Sequence, residues 1–160
     1  MSDTKLRAPR ATDLLRADHE RVKTLFSEYE EFGDDSALTK QGIYEQILRE
    51  LAVHATIEEE VFYPAVAELG EGAAGRVEEA LEEHRIVKAL LAELSLLAPN
   101  SPEFDFAMQA LEESIGRHAE EEEKGLFPLF GKLTSERRDE VSEALRRRRD
   151  ELTEGAAGLE

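Results

Sequence analysis

The chain of 160 residues carries 37 acidic against 20 basic side chains, a formal net charge of −17, and contains no cysteine. Such a surface repels nucleic-acid phosphate and anionic lipid, so neither is expected as a partner. The missing cysteines exclude disulfide staples and thiolate metal sites without fixing a compartment. No apolar run approaches membrane-spanning length, and residues 1–10 lack the apolar core of a secretion signal, so a cytoplasmic protein is the expectation.

Length fits one domain, and the abundance of Leu, Ala, Glu and Arg favours helix. Residues 1–11 are polar, hold Pro9 and read as a loose arm. Thr12 and Asp13 are cap candidates for a first helix closed by Gly33, with Leu15, Val22, Phe26 and Tyr29 on its apolar side. His19 falls in the same stripe. After a turn at residues 33–36, a second helix is expected over residues 39–69. Its seam steps by three or four through Ile43, Ile47, Leu51, His54, Glu58, Val61 and Ala65. Pro64 is expected to kink or end that helix a turn early.

Gly70, Gly72 and Gly75 mark the next connection. A third helix over residues 74–97 has the stripe Val77, Leu81, His84, Val87, Leu91 and Leu94. Pro99-Asn100-Ser101-Pro102 is a break, with Ser101 as the next cap and Pro102 at the first helical position. The fourth helix reads Phe104, Met108, Leu111, Ile115, His118, Glu122, Gly125 and Leu129, again a three-four seam. A fifth, shorter helix is expected over residues 133–152, and residues 153–160 read as a frayed tail. Its arginines 146–149 suit a helix C-terminus paired with Glu140 and Glu143 better than a nucleic-acid patch. The fold class is therefore all-α: an up-down-up-down four-helix bundle over residues 12–132 with an additional short C-terminal helix.

The bundle contains a repeat. His54-Ala55-Thr56-Ile57-Glu58-Glu59-Glu60-Val61-Phe62-Tyr63-Pro64 recurs without a gap as His118-Ala119-Glu120-Glu121-Glu122-Glu123-Lys124-Gly125-Leu126-Phe127-Pro128. Each copy holds His-x-x-x-Glu, which sets imidazole and carboxylate one turn apart on one helix face. Upstream, Asp18-His19-Glu20-Arg21-Val22-Lys23 matches Glu83-His84-Arg85-Ile86-Val87-Lys88. The four histidines thus form two pairs, 35 and 34 residues apart, one histidine per bundle helix.

Four imidazoles and two carboxylates at seam positions are poorly compensated in a dry core unless a cation joins them. The alternative is a hydrogen-bonded cluster of histidine and glutamate without metal. Imidazole and carboxylate without sulfur suit iron, zinc, manganese or copper. Six donors are too many for one tetrahedral zinc, whereas two ions bridged by two carboxylates use all six. Among the surrounding acids, Glu59, Glu60, Glu120 and Glu121 are expected on a solvated face, with Glu123 a reserve ligand. Phe26, Phe62, Leu126 and Phe130 are candidate walls of a ligand pocket.

In these motifs the sequence resembles the hemerythrin-like (HHE cation-binding) domain family over residues 12–132. The resemblance rests on His19, His54-x-x-x-Glu58, His84, His118-x-x-x-Glu122 and the aromatic-proline endings Phe62-Tyr63-Pro64 and Phe127-Pro128. It implies two iron ions, oxo- or hydroxo-bridged, with His19 and His54 on one, His84 and His118 on the other, and Glu58 and Glu122 bridging. It also implies a diatomic or peroxide ligand and roles in oxygen binding, sensing, iron handling or peroxide breakdown. Oxygen-carrying members place a further histidine one turn from the third-helix ligand, where this chain has Ala80 and Lys88. Each iron is therefore expected to be open, which favours catalase-like or nitric-oxide chemistry over oxygen carriage. Tyr44 is a lesser phenolate candidate, with packing its expected role. A sensor or interaction module is the alternative function, and iron storage a weaker one. No protein partner is identified.

Overall fold

A computed structural model of the chain describes residues 10–32 and 37–158. The first nine residues of the expected arm, and the expected turn at residues 33–36, lie outside the described residues. Helix α1 spans Ala11–Phe32 and α2 spans Ala37–Ile57. A π turn, Glu58–Phe62, joins α2 to the short α3, Tyr63–Ala67. Helix α4 spans Glu71–Leu94, α5 Pro102–Gly125, α6 Phe127–Phe130 and α7 Ser135–Gly158. The four long helices α1, α2, α4 and α5 form the up-down-up-down bundle, and α7 lies against α1, α2 and the π turn.

The helix ends follow local chemistry. The Ser101 hydroxyl accepts a hydrogen bond from the Phe104 N–H, and Pro102 fills the first turn of α5. A cap of this kind contributes about 1 kcal/mol. Thr134 caps α7 in the same way, through the Arg137 N–H. Thr12 and Asp13 do not cap α1, which begins one residue earlier. The Ser142 hydroxyl of α7 accepts from the Ala11 N–H instead, and Asp13 accepts from the Arg10 N–H. A cap supplied 131 residues away is invisible to local pattern. Gly70 stands before α4 at φ +137°, a conformation that favours glycine.

Pro64 does not end the second helix; the chain runs on to Ala67. Proline offers no N–H and its ring crowds the carbonyl four residues back. The helix absorbs this by widening one turn earlier, where the Tyr63 N–H reaches the Glu58 carbonyl, five residues back. The seam slips with it: Val61 becomes only half-buried, while Phe62, Tyr63, Ala65 and Val66 are fully buried. Helix α7 likewise runs past residue 152, to Gly158.

Two apolar clusters fill the bundle. One holds Leu15, Ile57, Phe62, Phe127 and Phe130 and extends to Val141 and Leu145 of α7. The other holds Val22, Phe26, Tyr44, Ile47, Phe104 and Leu111. Tyr44 packs edge-on against Phe104 in that second cluster, with ring centroids 5.4 Å apart.

Candidate metal centre

Between the two clusters, the four bundle helices and the π turn bring six predicted side chains to one level. His19, His54, Glu58 and Glu122 offer one group of ligand atoms lying within 4.8 Å of one another, and Glu58, His84 and His118 offer a second. Glu58 belongs to both. His54, Glu58, His84, His118 and Glu122 are buried and His19 is nearly so.

Each imidazole is turned by a carboxylate on its outer nitrogen. Nδ1 of His19 lies 2.8 Å from Glu123, that of His54 2.8 Å from Asp18, that of His84 2.7 Å from Glu59 and that of His118 2.7 Å from Glu83. An Nδ1–H donated outward leaves Nε2 facing the centre, the arrangement by which outer carboxylates orient metal-ligating histidines. These partners follow the repeat. The acid before the upstream histidine, Asp18 or Glu83, serves the downstream histidine of its own unit. The acid after the glutamate of the motif, Glu59 or Glu123, serves the upstream histidine of the other unit. Glu59 and Glu123 are therefore not simply a solvated face, and Glu123 sits on the far nitrogen of His19 rather than at the centre. The signal was present in the sequence, as an acid beside each histidine or glutamate in both copies.

A seventh group stands in the centre that the sequence pattern did not single out. The Tyr63 hydroxyl donates to Glu122 Oε2 at 2.5 Å and lies 3.1 Å from Glu58 Oε1 and from His84 Nε2, and 3.3 Å from His118 Nε2. The π turn puts it there. In the second copy the equivalent residue is Phe127, whose ring stacks at 5.9 Å and 3° on His19. The two halves of the centre therefore differ by one hydroxyl. Ala80 is buried, and Lys88 donates to Glu59 at 3.1 Å, so neither adds a donor to the centre.

The centre is under-compensated. His19 Nε2, His54 Nε2, Glu58 Oε2 and Glu122 Oε1 are buried without a hydrogen-bond partner. His19 Nε2 and Glu122 Oε1 lie 3.1 Å apart, as do His54 Nε2 and Glu58 Oε1, yet neither contact has hydrogen-bond alignment. Converging orphaned nitrogen and oxygen donors fit a cation, and the described residues thus fit a metal centre. Protons partly take its place. Burial depresses the His54 imidazole, but the Glu58 charge and the hydrogen bond that Asp18 accepts push it up to about 10. Burial also depresses His118, and Glu122, Glu58 and Glu83 push it up to about 12. Burial opposes ionisation of Glu58, yet the His54 charge and hydrogen bonds hold it well below the usual carboxylate range. Burial and the charges of Glu58 and Glu122 push the Tyr63 phenol far up, so it keeps its proton.

Three cavities touch residues of the centre. A chamber of about 260 Å³ touches all four histidines and is walled by Val22, Leu51, Val87, Leu91 and Ile115, with Glu59 and Lys88 also on its lining. None of Phe26, Phe62, Leu126 and Phe130 lines this chamber; Phe62 and Phe130 belong to the cluster packed around Tyr63, Leu126 lines the second cavity, and Phe26 lines a third, of about 730 Å³, beside His19 and Glu123. A second, polar cavity of about 360 Å³ reaches His118 and Glu122 past Arg76, Glu79, Glu83 and Glu121. No helix among the described residues is long and apolar enough to cross a membrane.

The Hemerythrin HHE cation binding domain matches this chain over residues 10–130. A DNA nickase of Nostoc sp. is 33% identical over 130 residues, 80% of this chain and 36% of that protein. A hemerythrin-like protein of Schizosaccharomyces pombe is 32% identical over 129 residues, 79% of this chain and 62% of that one. The chain thus spans less than two thirds of either curated relative. Among solved structures, a hemerythrin HHE cation binding domain-containing protein from Mycobacterium kansasii aligns with a TM-score of 0.81 at 24% identity, covering 94% of this chain and 91% of that one, a likeness of fold.

Proposed function

The chain belongs to the hemerythrin HHE cation-binding family, and on that premise we propose that it is a non-haem di-iron protein that breaks down a small neutral oxidant, hydrogen peroxide first among them. The reading is carried by the four inward Nε2 atoms, each backed by an outer carboxylate, around buried carboxylate oxygens that lack partners. His19 and His54 would hold one ion, His84 and His118 the other, with Glu58 and Glu122 shared between them. A donor set of imidazole and carboxylate without sulfur suits iron among the first-row metals, and six such donors suit a pair of ions. Such a pair of ions supplies redox chemistry and a clamp on two oxygens.

The chain's own residues set the rest. The outer carboxylates hold the imidazoles against rotation. Tyr63 holds a proton at the heart of the centre, beside His84 and His118, where oxygen chemistry consumes protons. Phe127 offers no hydroxyl beside His19, so the His19–His54 side lacks the proton that Tyr63 holds on the other. The apolar chamber admits an uncharged molecule, and the polar cavity gives water and protons a separate way in. Nucleic acid stays outside this reading. Arg137, Arg148 and Arg149 are held by Glu68, Glu60 and Asp18 of the bundle, and Arg147 pairs with Glu143 on α7 itself.

Anaerobic loading with ferrous iron, then parallel exposure to peroxide, oxygen and nitric oxide, tests the proposal. About two irons per chain and repeated peroxide turnover are expected, with oxygen giving only slow oxidation. One zinc per chain with no iron uptake would sink the metal assignment. A long-lived oxygen adduct with peroxide untouched would sink the chemistry.

A further inference from the structure

The twofold pattern of the centre is broken at Asp18, by a contact from a helix outside the bundle. Three of the outer carboxylates, Glu59, Glu83 and Glu123, have side chains 28%, 25% and 32% exposed, so water shares in their solvation. Asp18 is 3% exposed. A carboxylate so buried needs protein partners to stay ionised and in place. Its Oδ1 takes the Arg21 guanidinium from within α1. Its Oδ2, the oxygen that holds His54 Nδ1 at 2.8 Å, also takes Nη2 of Arg149. Arg149 comes from α7, which lies beyond the span matched by the family. Glu83, the counterpart of Asp18 in the second unit, has no ion pair of this kind among the described residues; its close partner is His118.

Arg149 is anchored for this contact. Leu145, one turn earlier, is fully buried in the cluster that also holds Leu15 and Ile57, and Ser142 caps α1 through the Ala11 N–H. Its own side chain is 19% exposed, against 36% for Arg148 and 67% for Arg147. The guanidinium meets Asp18 through Nη2, a charge-assisted hydrogen bond that restrains Oδ2 in place as well as in charge. We propose that Arg149 is a positioning residue of the metal centre: from a helix outside the bundle it fixes Asp18, and through Asp18 the ring of His54. Arg149 of α7 thus completes the outer support of one histidine only. The inference rests on His54 being a ligand.

Two measurements on the full chain test it. In the metal-free protein labelled with nitrogen-15 histidine, the His54 Nδ1–H signal is expected to be sharp and protected in the wild type, and broadened or shifted in Arg149→Met. In iron-loaded protein, competition with a chelator is expected to show affinity 10–100-fold weaker for Arg149→Met, the usual effect of losing an outer partner. Arg149→Lys, which keeps the charge on a shorter side chain, is expected to fall between, and Arg148→Ala to match the wild type. Asp18→Asn should cancel the dependence, so that adding Arg149→Met to it changes affinity less than twofold. A purely structural role for Arg149 would lower the melting temperature while leaving the His54 signal and the affinity of the folded protein unchanged, and that result overturns the proposal. So does an equal loss of affinity in the Asp18→Asn background. If Arg149→Met fails to fold, Arg149→Lys decides by the same two readouts. A wild type that binds no iron defeats the di-iron reading instead, and the nitrogen-15 comparison still decides the Arg149–Asp18–His54 link.

Discussion

At the scale of single residues, protons and a bound cation would compete for the same buried donors. The His54 imidazole stands at about 10 in the metal-free fold, against about 6.5 in an unfolded chain. A group raised in this way contributes stability that is fully present below the unfolded value and is lost as pH climbs through the folded one. The melting temperature of metal-free protein is therefore expected to fall between about pH 6.5 and pH 10, and His54→Gln should flatten that fall. Metal uptake must displace the His54 and His118 protons, so affinity should rise over the same interval. Thermal unfolding across this range, with chelator and with iron, checks both slopes. A metal-free protein whose pH response His54→Gln leaves unchanged would falsify the assignment. The six inner residues were legible in the sequence because the repeat placed them at matching offsets. Asp18 and Glu83 stood in the same repeat, but an acid on a protein with 37 of them carries no signal until a histidine nitrogen is seen against it.

At the scale of elements, the π turn separates what periodicity could reveal from what it could not. On a regular α-helix a residue five positions on is turned about 140° from the starting side chain, so Tyr63 reads as facing away from Glu58. The widened turn brings it over Glu58 and into the centre. Four helices and the inward positions of the four histidines and two glutamates follow from the 3.6-residue period. A register slip beside Pro64 does not, because the period itself changes there. Tyr63→Phe is expected to keep the metal, since four imidazoles and two carboxylates remain, and to slow peroxide turnover by about 100-fold through loss of the proton-holding hydroxyl. Pro64→Ala restores an N–H to the helix and should let the turn close, rotating Tyr63 outward. It is expected to reproduce the Tyr63→Phe rate. A Pro64→Ala protein with the wild-type rate would show that the turn persists without proline.

At the scale of the whole molecule, the bundle is a strongly negative body with an apolar passage into its centre. The net charge of −17 acts on anything approaching from several ångströms away, whereas the chamber acts only on what has arrived. Hydrogen peroxide and nitric oxide carry no charge at neutral pH and arrive unhindered. Azide, superoxide and similar anions climb a repulsive potential before they meet the wall of Val22, Leu51 and Ile115. Salt should expose the difference, since raising ionic strength from about 0.01 M to 0.15 M shortens the Debye length from about 30 Å to 8 Å. Stopped-flow measurements are expected to show azide binding to the loaded protein several-fold faster at the higher salt, with the peroxide rate unchanged. Equal responses of the two ligands would remove the field from the account. The chamber then acquires a role that its shape alone does not suggest: it is the low-dielectric half of a two-stage sieve, in which the surface turns ions away and the passage accepts what the surface has let through.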